Sequence, residues 1–281
     1  MKTIKSTMFI IIGLSGLLLG ADKSTGAWEK SIVGGLNVTQ TGFDNWAAGG
    51  ENAFAWQMNL NFKFVQDKER TNWGNTGKVV YGATKIGDSD MRKSVDEVKL
   101  ESVLTYKLGS KINPYAALTG ETQMAEGYDY STDPETPISA WLDPGYFRES
   151  FGAGFDIKEG MATRLGLSFK QTITTDFPQP YADDVETVDK IESTRSEVGF
   201  ESVTDMTFPI SETSQFSTKL ELFSAFSAFD ETDVNWDNTL TAKVSEYINI
   251  NVNLKLVYDK DISVKRQIKQ SMALGINYTF I

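Results

Sequence analysis

Phe54-Ala55-Trp56-Gln57-Met58-Asn59-Leu60-Asn61-Phe62-Lys63-Phe64 places an apolar side chain at every second position and a small or polar one between. Successive side chains leave a β-strand on opposite faces, so this stretch has one apolar face and one wet face. Near the end of the chain, Ile248, Ile250, Val252, Leu254, Leu256 and Tyr258 alternate with Asn249, Asn251, Asn253 and Lys255. Met272, Leu274, Ile276, Tyr278 and Phe280 then alternate with Ser271, Ala273, Gly275, Asn277 and Thr279. Runs of about 9–11 residues with period two fit strands that cross a bilayer with lipid on one side and a polar lumen on the other. The fold this predicts is all-β, a transmembrane antiparallel up-and-down β-barrel of about 12 strands.

Composition agrees with dispersed rather than clustered apolarity. Hydrophobic residues make up 40% of the 281, yet only residues 8–19 form a long apolar run. Lys2 and Lys5 precede that run and Gly20 and Ala21 follow it, which predicts a secretory signal peptide over 1–21, cleaved to leave a barrel over 22–281. The chain has no cysteine, which excludes a disulfide framework and a lipid-modified cysteine. Loss of Lys2 and Lys5 would deepen the formal charge of −11 by two units, and no Lys/Arg stripe is present, so nucleic acid is not an expected partner.

Strands are expected near 31–41, up to 65, 77–86, 97–108, 114–125, 147–157, 164–173, around Val198 and Phe200, around Leu220 to Phe226, 236–244, and in the two late runs. The third is ambiguous in its faces because Val79, Val80 and Tyr81 are adjacent. With the N-terminus inside, even-numbered connections should be short turns and odd-numbered ones long loops. The expected connections obey this except the one after the second strand, read as 67–75. Asp129, Asp133 and Glu135 fall in one long loop, and Asp176, Asp183, Asp184, Glu186 and Asp189 in another, both read as exposed and acidic. Trp28, Tyr115, Tyr146, Tyr247, Tyr258 and Tyr278 lie near strand ends, where interfacial rings are favoured.

Three segments carry a family resemblance: Phe43-Asp44-Asn45-Trp46-Ala47-Ala48-Gly49-Gly50-Glu51-Asn52, Asn113-Pro114-Tyr115-Ala116-Ala117 and Asp143-Pro144-Gly145-Tyr146. Over nearly the whole chain beyond the leader, the sequence resembles an uncharacterised, domain-of-unknown-function family of bacterial outer-membrane barrels with an NWAAGG motif, loosely similar to salt-induced outer membrane proteins. The resemblance implies an outer-membrane location and supplies no substrate and no catalytic residue. Physically, Gly49 and Gly50 suit positive φ in a tight loop, and Asn45 and Trp46 complete a motif that fits a rim or a packed loop.

The chain contains no histidine, which removes Ser-His and Cys-His nucleophiles and histidine metal ligands, and no enzymatic activity or cofactor is expected. The carboxylate pairs Asp183 with Asp184 and Asp230 with Asp233 read as solvated loop acids. The run Asp230, Asp233, Asn235 and Asp237 lacks the glycine and distal glutamate of a calcium loop. With the apolar faces toward lipid, the lumen should be lined by Glu97, Lys99, Glu101, Arg148, Arg164, Lys170, Glu197, Glu201, Lys219, Glu221 and Lys255. Both signs line one wall, which fits a narrow, weakly selective pore for small solutes or a barrel cross-linked shut. A platform presenting the acidic loops as a receptor or adhesin is the alternative, and a soluble sandwich the third. Expected partners are outer-membrane lipid and the barrel-assembly machinery, engaged through a last strand whose alternation ends at Phe280 and Ile281.

Overall fold

A computed structural model describes residues 26–43, 50–109, 111–183, 187 and 190–281. The leader expected over 1–21, with Asn45, Trp46, Gly49, Asp184, Glu186 and Asp189, lies outside the described residues.

Twelve strands close into one antiparallel barrel. They are β1 (Trp28–Thr41), β2 (Ala53–Asp67), β3 (Thr71–Ile86), β4 (Arg92–Tyr106), β5 (Ile112–Thr122), β8 (Gly145–Lys158), β9 (Met161–Ile173), β10 (Thr194–Pro209), β11 (Ser214–Ala225), β12 (Thr232–Lys243), β13 (Ile248–Tyr258) and β14 (Gln267–Thr279). Each pairs with its neighbour along the chain, and β1 pairs with β14 from Val33 opposite Thr279 to Asn37 opposite Gly275. Beyond that ladder the Ile32 N–H donates to the Ile281 carbonyl at 3.0 Å and the Phe280 N–H to the Ile32 carbonyl at 2.8 Å. Closure leaves no free sheet edge, which a strand in hydrocarbon requires because no water is there to satisfy it.

The faces are inverted relative to a soluble protein. Met58, Leu100, Phe151, Leu165, Met272 and Ile276 point outward and are exposed, whereas Lys170, Glu201 and Glu221 are buried inside. A single closed sheet therefore replaces the two-layer sandwich, in which those apolar residues would meet in the middle.

The structure resolves the odd connection. β3 begins at Thr71, six residues before the expected start, so the turn after β2 is only 68–70 and all five connections at the end carrying both termini are short. At the other end lie 42–52, 87–91, 123–144, 174–193, 226–231 and 259–266. Thr71, Asn72, Gly74, Asn75 and Thr76 are turn-like by composition, which hides the early start, yet Asn72 through Thr76 pair in register with Asp67 through Lys63 of β2. The ambiguity at Val79 to Tyr81 also has a cause: Val80 points inward, is buried, and lines a cavity with Val95. A register shift between Gly82 and Ala83 follows it.

The 123–144 connection is not a plain loop. It holds a two-stranded hairpin of β6 (Gly127–Asp129) and β7 (Thr136–Ser139). Asp96 at the top of β4 accepts the N–H groups of Met124 and Ala125, each at 2.8 Å, and Arg92 pairs with Glu135 at 2.9 Å. Gly50 adopts φ 137°, and an added Cβ there would come within 2.6 Å of the Phe43 ring. The Phe43 N–H donates to Asn52 Oδ1 at 2.7 Å, tying together the two ends of the first loop.

Candidate functional site

The lumen is where the inward faces of the strands converge, and it is filled with ion pairs. Its first layer crosses the barrel. Lys99 on β4 lies 2.8 Å from Glu221 on β11, and Lys219 on β11 lies 2.5 Å from Glu101 on β4. Lys78 on β3 reaches Asp237 on β12 at 3.2 Å, and Lys255 on β13 reaches Glu97 on β4 at 3.5 Å. These strands are not neighbours, so the pairs bridge open space rather than a ladder.

A second group lies along β8, β9 and β10. Arg164 pairs with Glu101 and, at 3.6 Å, with Glu201. Arg148 approaches Glu201 at 3.4 Å, and Ser150 Oγ donates to the same carboxylate at 2.8 Å. Lys170 sits among Asp233 at 2.6 Å, Asp259 at 3.0 Å and Glu197 at 3.4 Å. All eleven residues proposed for the lumen wall from alternation thus lie within this network.

The alternation reading left out Lys78, Glu121, Asp233 and Asp237, which belong to the same network. Asp233 is not a loop acid, and with Asn235 and Asp237 it occupies successive inward positions of β12. The Asn235 Nδ2 donates to Glu221 at 3.2 Å. Their period-two spacing was visible, but β12 starts at Thr232, not near Trp236. Among the described residues no cluster of acidic side chains could hold a metal ion. Tyr115, Tyr146 and Tyr258 do not sit at the outer interface as their strand-end positions suggested. Tyr115 is buried inside, with the Arg164 guanidinium 5.8 Å from its ring centre, and Tyr146 and Tyr258 line the lumen. Trp28, Tyr247 and Tyr278 are exposed at the short-turn end, where Trp28 packs 5.3 Å from Trp73.

The ion pairs divide the interior. A 410 Å³ cavity toward the short-turn end and a 320 Å³ cavity toward the long loops share Lys99, Glu221, Asn235 and Lys255 as walls. Those four residues form a septum at mid-height. Above it, a 390 Å³ cavity adjoins the 320 Å³ one through Glu121, Tyr146, Tyr181 and Lys255.

The described residues 174–183 roof this upper vestibule through Tyr181. Asp143, buried in the neighbouring 123–144 loop, accepts the N–H groups of Thr175 at 3.0 Å and Asp176 at 2.7 Å, so the two longest loops are tied together. Tyr181 follows and enters the vestibule, with Ala182 buried behind it. Burial, then the Asp143 carboxylate, pushes the Tyr181 phenol above its ordinary value. Asp183 accepts Gln179 Nε2 at 2.7 Å and the Glu192 N–H at 3.0 Å, and these two bonds hold its carboxyl below the usual range.

Fold and lining together define a closed β-barrel with an apolar exterior and a charge-paired, partitioned lumen. The family described as "Protein of unknown function (DUF3078)" matches residues 38–128, a span that contains the Phe43–Asn52 and Asn113–Ala117 motifs and stops short of Asp143. The match is narrower than the near-complete coverage expected from the motifs. No curated protein matches the chain. Solved structures similar to it include the translocator domain of the autotransporter NalP from Neisseria meningitidis, at 10% identity and TM-score 0.41, covering 91% of this chain and 89% of that one. An outer membrane channel from Pseudomonas putida F1 has 12% identity and TM-score 0.39, covering 92% and 96%. The NanC porin has 9% identity and TM-score 0.41, covering 88% and 98%.

Proposed function

We propose that the protein is an integral barrel of a bacterial outer membrane that acts as a narrow, weakly selective pore for small solutes, throttled at mid-height by its own ion pairs. The observation that carries this reading is the septum: Lys99, Glu221, Asn235 and Lys255 form the shared wall between cavities of 410 and 320 Å³. The exposed apolar belt supports the membrane location, since so large a greasy surface is not stable in water. Paired charges of both signs favour neither anions nor cations, which supports weak selectivity. The short turns face the periplasm in this reading, the long loops face outside, and β14 is the strand that the assembly machinery engages. No catalytic role is assigned.

Unitary conductance of the purified protein in planar bilayers tests the pore. Small steps are expected, and a larger step in the double variant Lys99→Gln with Glu221→Gln. A bilayer that stays silent with both proteins overturns the pore and leaves a structural barrel.

The tie between Asp143 and loop 174–193 favours a second reading, in which the two long loops form one fixed outer surface that binds a partner. Deletion of residues 126–139 that abolishes cell-surface binding without changing conductance would support that platform role.

A further inference from the structure

The vestibule above the septum has the chemistry of a binding site. Its rings are Tyr146 on β8, Tyr258 on β13 and Tyr181 from the roof loop, with Phe147 and Phe223 beside them. Tyr146, Tyr181 and Tyr258 have no hydrogen-bond partner for their hydroxyls within the described residues, although all three line the cavity. Three half-buried phenols around one space can each donate to and accept from a ligand. Carboxamides add to the wall: Gln267 borders both upper cavities and Gln123 the second.

The lining of the 320 Å³ cavity carries four cations and four carboxylates and does not call for an ionic ligand, and Lys269, which of these two cavities lines only the one of 390 Å³ and has no ion pair among the described residues, is exposed to water. Lys99 and Lys255 are held by Glu121 at 3.5 and 3.6 Å, and Lys170 by Asp233 and Asp259. A ligand carrying one net charge would have to break a pair and desolvate against the charge left over. A ligand with many hydroxyls can donate to Glu121 or Asp259, accept from the phenols, and lay its CH faces on the tyrosine rings without disturbing that balance. Each upper cavity, at 320 and 390 Å³, is of the size that takes a small organic molecule, in the range of about 300–1,000 Å³.

We propose that this vestibule binds a neutral polyhydroxylated molecule of mono- to disaccharide size, gripped between Tyr146, Tyr181 and Tyr258. The inference deepens the pore reading by naming the solute class at the mouth of the same lumen. Binding itself needs no conduction.

The test is calorimetric titration of the full chain, folded in detergent, with maltose and sucrose, and with glucuronate and glucosamine as anionic and cationic counterparts. Saturable binding of at least one neutral disaccharide is expected, with the charged sugars at least about tenfold weaker. Tyr181→Ala should weaken binding about tenfold or more. It sits on a loop, so barrel folding, read by the shift of the unheated band on a gel, is expected to be unchanged. Tyr258→Phe, which keeps the ring, should weaken binding several-fold and guards against a failure to fold. Absence of saturable heat with either disaccharide at up to about 10 mM, well above the Kd of about 1 mM of a weak site, overturns the proposal. Tighter binding of glucuronate or glucosamine than of the disaccharides does the same. Silent bilayers with sugar binding intact would remove the pore and leave the site, whereas conductance without binding would remove the site and leave the pore.

Discussion

Lys99 on β4 and Glu221 on β11 meet at 2.8 Å across the barrel, although 122 residues separate them along the chain. Lys99 also approaches Glu121, and Glu221 also approaches Lys219 at 3.6 Å, so the pair is the centre of a connected lattice and not an isolated bridge. Exposed ion pairs contribute little, but removing one member of a buried pair leaves a stranded charge.

Glu221→Gln alone should therefore destabilise the barrel, and adding Lys99→Gln should recover part of the loss. A coupling energy of about 1–3 kcal/mol is expected from the double-mutant cycle in denaturant unfolding followed by tryptophan fluorescence. Strict additivity of the two single variants would mean that the septum is not a coupled unit.

Leu100 and Phe151 sit at the middle of β4 and β8 with their side chains outward and about half or more exposed. At an exposed site in water, Leu100→Arg would change stability by no more than about 0.5 kcal/mol. Facing the middle of a bilayer, the same substitution should cost about 2–4 kcal/mol. Refolding into lipid vesicles under a denaturant series distinguishes the two, and a neutral result would count against the membrane assignment.

Tyr115 lies over a pair of glycines. Gly152 on β8 pairs with Gly166 on β9, and a Cβ at Gly166 would fall 2.6 Å from the Tyr115 hydroxyl and 2.3 Å from the Phe151 carbonyl oxygen. Gly166→Ala must displace the backbone or the ring, at about 1–3 kcal/mol. A drop in the unfolding midpoint is expected, with no comparable drop for Gly74→Ala, where the space is open.

The carboxylate of Asp143 holds the start of the roof loop by two N–H bonds, and hydrogen bonds to a charged group are worth about 1.5–3 kcal/mol each. Asp143→Ala should free residues 174–193 and speed tryptic cleavage at Lys190, while the barrel strands stay resistant. Cleavage at the wild-type rate would show that the loop is held elsewhere.

Asp183 adds a pH dependence to the same loop. Its carboxyl is depressed, first by the Gln179 amide and next by the Glu192 N–H. A depressed carboxyl stabilises above its unfolded pKa, and the contribution is lost as pH falls through its folded value. Tryptic-type nicking of the loop cannot be read in acid, so pepsin is the probe: wild type should become more sensitive as pH falls below about 4, and Asp183→Asn should be sensitive throughout.

Much of this architecture was legible beforehand, for a local reason. Period-two alternation is a property of neighbouring residues, so β2, β4, β13 and β14 and their inward sets could be read from the chain. Reading failed where local chemistry and strand identity diverged. The polar start of β3 resembles a turn, Val80 breaks the alternation by packing inside with Val95, and the hairpin β6–β7 hides in a segment rich in turn residues. Asp233 reads as a loop acid because β12 begins at Thr232, four residues before the expected start at Trp236.

From the sequence alone came the strands, the apolar exterior, the mixed-charge wall and the absence of histidine chemistry, since each depends only on residue type and spacing. Which cation meets which carboxylate was decided by closure of the barrel, which brings β4 opposite β11 and β3 opposite β12. A lysine is chemically matched to any of many acids, and only the curvature and register of the closed sheet select Glu221 for Lys99, build the septum between the cavities, and fold Tyr181 over the vestibule.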